Sequence, residues 1–232
     1  MKIIKDIKLK IDEEEVLKYQ GHLRNKGGKN DEIILQTTRE EIKEGYDLFK
    51  PIGIYSKVMI RNIGSEGRIN LENGSHLEIN NSILNLLRGT SYLVFGLSTI
   101  GNHLDKKVAE LFAQNEYLKA IALDAVGTVA AKFLSNYIKN LVYQEAKEQS
   151  FQTTKYFSPG SGDWDISQQK NIFQIIPANK IGVKLTDSCM MIPQKSLSWV
   201  IGVGNNIIIP YKDESHSCKI CMDENCQFRK RF

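Results

Sequence analysis

An α+β fold, with helices packed on a mainly antiparallel twisted sheet, is predicted by three features of the sequence. The hydrophobic period changes from helical to strand at Ile52 and returns to helical near Leu104. Arg68–Leu71 and His76–Ile79 are alternating runs joined by the turn-forming residues Glu72–Ser75, which predicts a hairpin. Ser91–Leu97 is an almost unbroken apolar run of strand length, the pattern of a central strand covered on both faces.

The elements follow in order. Asp12 is the N-cap of a first helix, with Glu15 at the capping-box position and Val16, Leu17, Tyr19 and Leu23 on one face. Residues 27–30 break it. A second helix runs from Asp31 to Lys50 through Ile33, Ile34, Ile42 and Leu48, and Pro51 ends it. Strands follow at Tyr55–Ile60, in the hairpin, and at Ser91–Leu97. Helices are predicted over Leu104–Gln114 and from Tyr117 towards Gln149; small residues in the latter (Ala122, Ala125, Gly127, Ala130, Ala131) allow close approach of a neighbour. Short strands at Thr153–Phe157, Val183–Leu185, Trp199–Val203 and Ile207–Ile209 are interrupted by a helix over Ser167–Ile176, capped by Asp165 with Gln168 completing a capping box. Residues 1–212 are expected to form one domain and residues 213–232 a cysteine-rich tail.

A chain of 232 residues can bury a core without metals or disulfides. The net charge of +4 comes from basic residues interleaved with acidic ones, which points to solvated helix faces and away from nucleic acid. No stretch has the length and apolarity of a membrane span, and Met1–Asp6 lacks a secretory apolar region, so a cytoplasmic location is expected. His22, His76 and His103 lie on polar segments and read as surface residues.

The segment Tyr156–Ser198 carries the chemistry. Pro159-Gly160-Ser161-Gly162-Asp163 joins a strand to a capped helix, and its two glycines let the backbone approach a ligand. Ser158 and Ser161 offer hydroxyls, Asp163 can pair with an amine or a cationic sulfur, and Trp164 can stack on an adenine. The same pentapeptide is also an ordinary tight turn, with Asp163 bonded to its own backbone and Trp164 in the core. Asp124, on a helix rich in small residues, is either a polar hinge near a site or a hydrogen-bonded structural residue beside Thr99 or Gly101.

Five motifs in order resemble the activation (reactivation) domain of cobalamin-dependent methionine synthase. They are Val16–Tyr19, Thr99–Gly101, Leu123–Gly127, the Ser158–Gly162 loop, and Ile181–Ser188 together with Met191, Pro193, Lys195, Ser196 and Ser198. The resemblance implies a stand-alone reactivation protein that holds S-adenosylmethionine beside Tyr156, Ser158, Gly160, Ser161, Gly162 and Asp163. It implies no catalytic side chain of its own. The cobalamin would be held by a partner, either a corrinoid protein or a methionine synthase lacking this domain, and the electron would come from a flavodoxin-like or ferredoxin-like donor. The family's loop carries an arginine and a tyrosine where this chain has Tyr156 and Ser161. A tyrosine lacks the charged fork that suits a carboxylate, and Lys155 should point to the opposite face of its strand. Two other readings stay open: a corrinoid-binding module without S-adenosylmethionine, and a metal- or redox-linked regulator.

The regulator reading rests on Cys218, Cys221 and Cys226, whose spacing suits zinc or an iron–sulfur cluster, with His216 or Cys189 as a fourth ligand. A redox dithiol and plain reduced thiols fit the same spacing.

Overall fold

The computed structural model describes residues 1–22, 29–64, 67–208 and 210–211. It is an α+β structure built on a seven-stranded sheet in the order β4-β3-β2-β5-β9-β6, with β1 paired to β2. The strands are β1 (Lys2–Ile4), β2 (Ile52–Ile63), β3 (Arg68–Leu71), β4 (His76–Glu78), β5 (Tyr92–Thr99), β6 (Gln152–Thr153) and β9 (Ser196–Gly204); β7 (Lys184–Leu185) and β8 (Met191–Ile192) form a separate hairpin. Every pairing is antiparallel. The apolar run predicted to be central is β5, buried at every residue between β2 and β9.

The helices are α1 (Glu13–Tyr19), α2 (Lys29–Leu48), α3 (Asn81–Leu86), α4 (His103–Ala113), α5 (Tyr117–Glu148) and α6 (Gln169–Ile175). One face of the sheet, bearing Tyr92, Val94, Trp199 and Ile201, packs against α5, with α1, α2 and α4 outside it. The other face, bearing Ile54, Leu93, Phe95 and Val200, meets α6 and the curled β3–β4 ribbon. Helix α5 is therefore covered by sheet on one side and helices on others, which explains why its buried positions spread well beyond one stripe.

Packing is tightest where β5 crosses β9. Gly96 lies opposite Trp199, and a Cβ at Gly96 would overlap the indole ring.

Several sequence expectations change. Helix α2 starts at Lys29 and stops at Leu48, and β2 is longer than predicted because, past a bulge at Ile60–Asn62, it leaves β5 to pair with β3. The predicted strand Thr153–Phe157 is regular only in β6, although Phe157 still bridges Val200. Residues 207 and 208 are not in a strand; Ile207 N–H donates to Gln152 instead. Strand β1 and helix α3 were not predicted; α3 is capped by Asn80, which accepts from Ile83 N at 2.9 Å.

Both N-caps form but neither capping box closes. Asp12 accepts from Glu14 N at 2.8 Å, while Glu15 turns away to Lys132. Asp165 accepts from Ser167 N at 2.7 Å, while Gln168 accepts from Glu78 N across the fold. In each case a tertiary partner wins the side chain that would otherwise reach back to the cap.

Candidate functional site

The segment Lys10–Glu15 and the middle of α5 enclose a groove of about 440 Å³, a volume within the range of small-molecule sites. Ile11, Val129 and Phe133 supply apolar wall; Asp12, Glu15 and Lys132 supply charge of both signs. Lys132 Nζ lies 3.2 Å from Glu15 Oε1. Burial lowers the Lys132 pKa, but Tyr19, Glu15 and Tyr156 outweigh it and leave the pKa above the ordinary lysine value.

Two turns further along α5 is Lys139, which falls on the same stripe because seven residues nearly complete two turns. It is only 5% exposed. Its ammonium lies 3.4 Å from the centroid of the Tyr156 ring, a close cation–π contact. Burial first, and Lys132 second, push its pKa down to about 7. Among the described residues no carboxylate pairs with it.

The predicted loop divides. Tyr156, 40% exposed, comes to α5 and covers Lys139, because Phe157 alternates with it and points into the opposite core. Ser158 turns to β9, its hydroxyl donating to Ser198 O at 2.8 Å. Gly160, Ser161, Gly162 and Asp163 form an exposed turn, closed by Gly160 N–H to Trp164 O at 2.8 Å. Gly160 has φ +80° and sits against Ile166, where a side chain would be both strained and crowded. Trp164 is a core residue: it is 3% exposed, packs on Phe157, and donates from Nε1 to Glu78 O at 2.7 Å. It presents no face for adenine stacking.

The remaining sequence markers converge beside α4 and the start of β9. Asp124 is half-exposed and pairs with Lys195 at 2.8 Å. Lys195 also donates to Thr128 at 2.9 Å, and its carbonyl accepts from Ile100 N. Thr99 Oγ1 accepts from Gly101 N, so Asp124 bonds to neither Thr99 nor Gly101. Asp105 accepts from Gln194 N at 2.8 Å, and burial raises its pKa against that hydrogen bond and Lys195.

Among the histidines, His103 is exposed, His76 is half-buried, and His22 is set against Asp31 at 3.6 Å. Cys218, Cys221, Cys226 and His216 lie outside the described residues. Cys189, named above as a fourth ligand, is buried in the turn between β7 and β8. Among the described residues no group of three or more His, Cys, Asp or Glu is placed to hold a metal, and no helix is long and apolar enough to cross a membrane.

Neither Lys132, which lines the groove, nor Lys139 was singled out from sequence, and Asp12 and Glu15 were read there only as cap and capping-box residues. The available signal was Lys132 and Lys139 two turns apart in a helix that is otherwise apolar on most faces.

No family model matches the chain, and no curated protein matches it in sequence. In fold it is similar to the MetH reactivation domain, whose crystal structure has AdoHcy bound: TM-score 0.59, 15% identity, covering 91% of this chain and 80% of that one. The architecture is thus that of the methionine synthase activation domain, with an antiparallel sheet and six helices.

Proposed function

We propose that the chain binds an S-adenosyl ligand in the groove between Lys10–Glu15 and α5, on the side of α5 where Tyr156 approaches Lys132. It would act as a stand-alone reactivation module for cobalamin held by a separate corrinoid protein or a methionine synthase lacking this domain. The observation that carries this reading is the fold likeness, over 91% of the chain, to a domain bound to AdoHcy.

The donor set suits the ligand. S-adenosylmethionine carries an amine, a carboxylate and a sulfonium on an apolar frame, and the groove offers carboxylates at Asp12 and Glu15, an ammonium at Lys132 and apolar walls. When bound, the ligand supplies an electrophilic methyl group to reduced cobalamin on the partner. The residues of this chain have a simpler task. Glu15 and Asp12 place negative charge near the amine and sulfonium of the ligand, Lys132 offers positive charge to the carboxylate of the same amino-acid end, and Ile11, Val129 and Phe133 exclude water from one side. The methyl must point out of the groove, towards the partner. A flavodoxin-like or ferredoxin-like electron donor would serve the cobalamin, not this chain.

Titration calorimetry with S-adenosylmethionine and AdoHcy tests the reading. Dissociation constants below about 100 μM support it. No heat at millimolar ligand overturns it and favours the corrinoid-binding clamp. That alternative draws on Ser158 being bonded to β9 and Trp164 being buried, which leave the loop few free ligand groups.

A further inference from the structure

The groove between Lys10–Glu15 and α5 has two unlike ends. The N-terminal segment runs antiparallel to α5, tied by Glu15 to Lys132 at 3.2 Å and by Lys2 to Glu145 at 2.7 Å. At the first tie the charges are already engaged: Asp12 accepts from the backbone of α1, and Glu15 and Lys132 hold each other. Further along α5 the lining residues are Phe133, Asn136, Tyr137 and Asn140. Their spacing of i, i+3, i+4 and i+7 makes them one stripe of the helix. Tyr137 is 41% exposed, and neither Asn136 nor Asn140 makes a side-chain hydrogen bond to another described residue. This end of the groove therefore combines two aromatic rings with two amides whose donors and acceptors are unspent. Lys10, on the opposite wall, falls between the two ties and adds one cation.

That combination matches adenine. The base is flat, and its faces stack on aromatic side chains. Its edge sets an amino donor beside a ring-nitrogen acceptor, which an asparagine amide meets with two bonds: its carbonyl accepts from the amino group and its N–H donates to the ring nitrogen. A simple anion would use donors only and leave the amide carbonyls and the rings without a task.

We infer that Asn136 and Asn140 read the adenine edge of the S-adenosyl ligand, and that Phe133 and Tyr137 supply the surface on which the base stacks. The inference rests on the S-adenosyl reading above and adds the residues that select the base. It also gives the ligand a direction. Asn136 and Asn140 lie about 6 and 12 Å beyond Lys132 along the helix axis. The amino-acid end then stays at Glu15 and Lys132, and the base points towards the C-terminal half of α5.

The test compares AdoHcy with S-inosylhomocysteine, in which a carbonyl oxygen replaces the amino group of the base and everything else is kept. Calorimetry is run on the full chain, on Asn136→Ala, on Asn140→Ala and on the double variant. Both asparagines are exposed and alanine is the better helix former, so the variants should fold, and their urea midpoints check it. Wild type is expected to bind AdoHcy about tenfold more tightly than S-inosylhomocysteine, because the exchanged group turns one amide bond into a clash of two acceptors. In the double variant the two compounds should bind within about twofold of each other. Tyr137→Ala should weaken both compounds about five- to tenfold and leave their ratio unchanged, since stacking does not depend on the amino group.

Equal binding of the two compounds by wild type overturns the base subsite and leaves the S-adenosyl reading standing. A tenfold preference that survives in the double variant overturns the assignment to Asn136 and Asn140. Unchanged affinities in Tyr137→Ala overturn its stacking role. No binding of either compound by wild type overturns both readings.

Discussion

Lys195 reaches Asp124 at 2.8 Å across the gap between the turn after β8 and the first half of α5. Lys195 is the more buried partner, 13% exposed at its side chain against 47% for Asp124. Removing Asp124 therefore leaves an enclosed ammonium with Thr128 as its remaining acceptor. Asp124→Ala is expected to destabilise the protein by about 1–2 kcal/mol, the exposed carboxylate keeping the loss below that of a fully buried pair. Urea unfolding at pH 7 measures it. Lys195→Met should cost less, because the carboxylate it frees is half in water; a larger loss for Lys195→Met would contradict the burial argument.

Trp164 contributes to stability and not to ligand contact. Trp164→Phe removes the 2.7 Å bond to Glu78 O and part of the packing on Phe157, and is expected to cost about 2 kcal/mol. Ligand affinity should be unchanged. Because both tryptophans are buried, at 3% and 1% exposure, native emission should be blue-shifted and should move red only on unfolding. A ligand that quenches Trp164 directly in the native state would contradict this placement.

The fold was legible where one local signal decides the outcome. The apolar run of β5, the hairpin turn at Glu72–Ser75, and the caps at Asp12 and Asp165 all behave as their sequences direct. Where the outcome depends on a distant partner, the sequence was silent. Glu15 and Gln168 have the right spacing for capping boxes, but Lys132 and Glu78, more than 80 residues away in each case, take their side chains. The site followed the same division. Tyr156 was visible as part of a loop. Lys139 was not, because its burial depends on a strand segment seventeen positions later folding across the helix that carries it.

Gly96 is expected to reject any side chain. Gly96→Ala would set a methyl into the Trp199 ring in the middle of the sheet, where neither β5 nor β9 can move independently. Overpacking of this kind costs about 1–3 kcal/mol. Trp199 Nε1 has no hydrogen-bond partner among the described residues, so Trp199→Phe loses packing but no hydrogen bond. Combining Gly96→Ala with Trp199→Phe should therefore cost less than the sum of the two single changes. Denaturant midpoints of the four proteins in this cycle provide the check, and strict additivity would mean that the two residues do not collide.

Lys139 also predicts how stability varies with pH. Its pKa is about 7 in the folded chain, against an ordinary lysine value of 10.5. Between those two values the unfolded chain holds a proton that the folded chain has released, so this group makes stability rise with pH across the window. Below about pH 7 both states are protonated and the full penalty of burying the charge applies; above about pH 10.5 both are neutral and it disappears. Lys139→Met removes the titration and the penalty together. The variant is expected to be more stable than wild type by about 1–3 kcal/mol at pH 6, with the advantage shrinking steadily towards pH 9. Other groups titrate over the same interval, so the quantity to follow is the difference between the two proteins, from urea unfolding at matched pH. A constant difference from pH 6 to pH 9 would mean that the amine keeps its proton in the folded state.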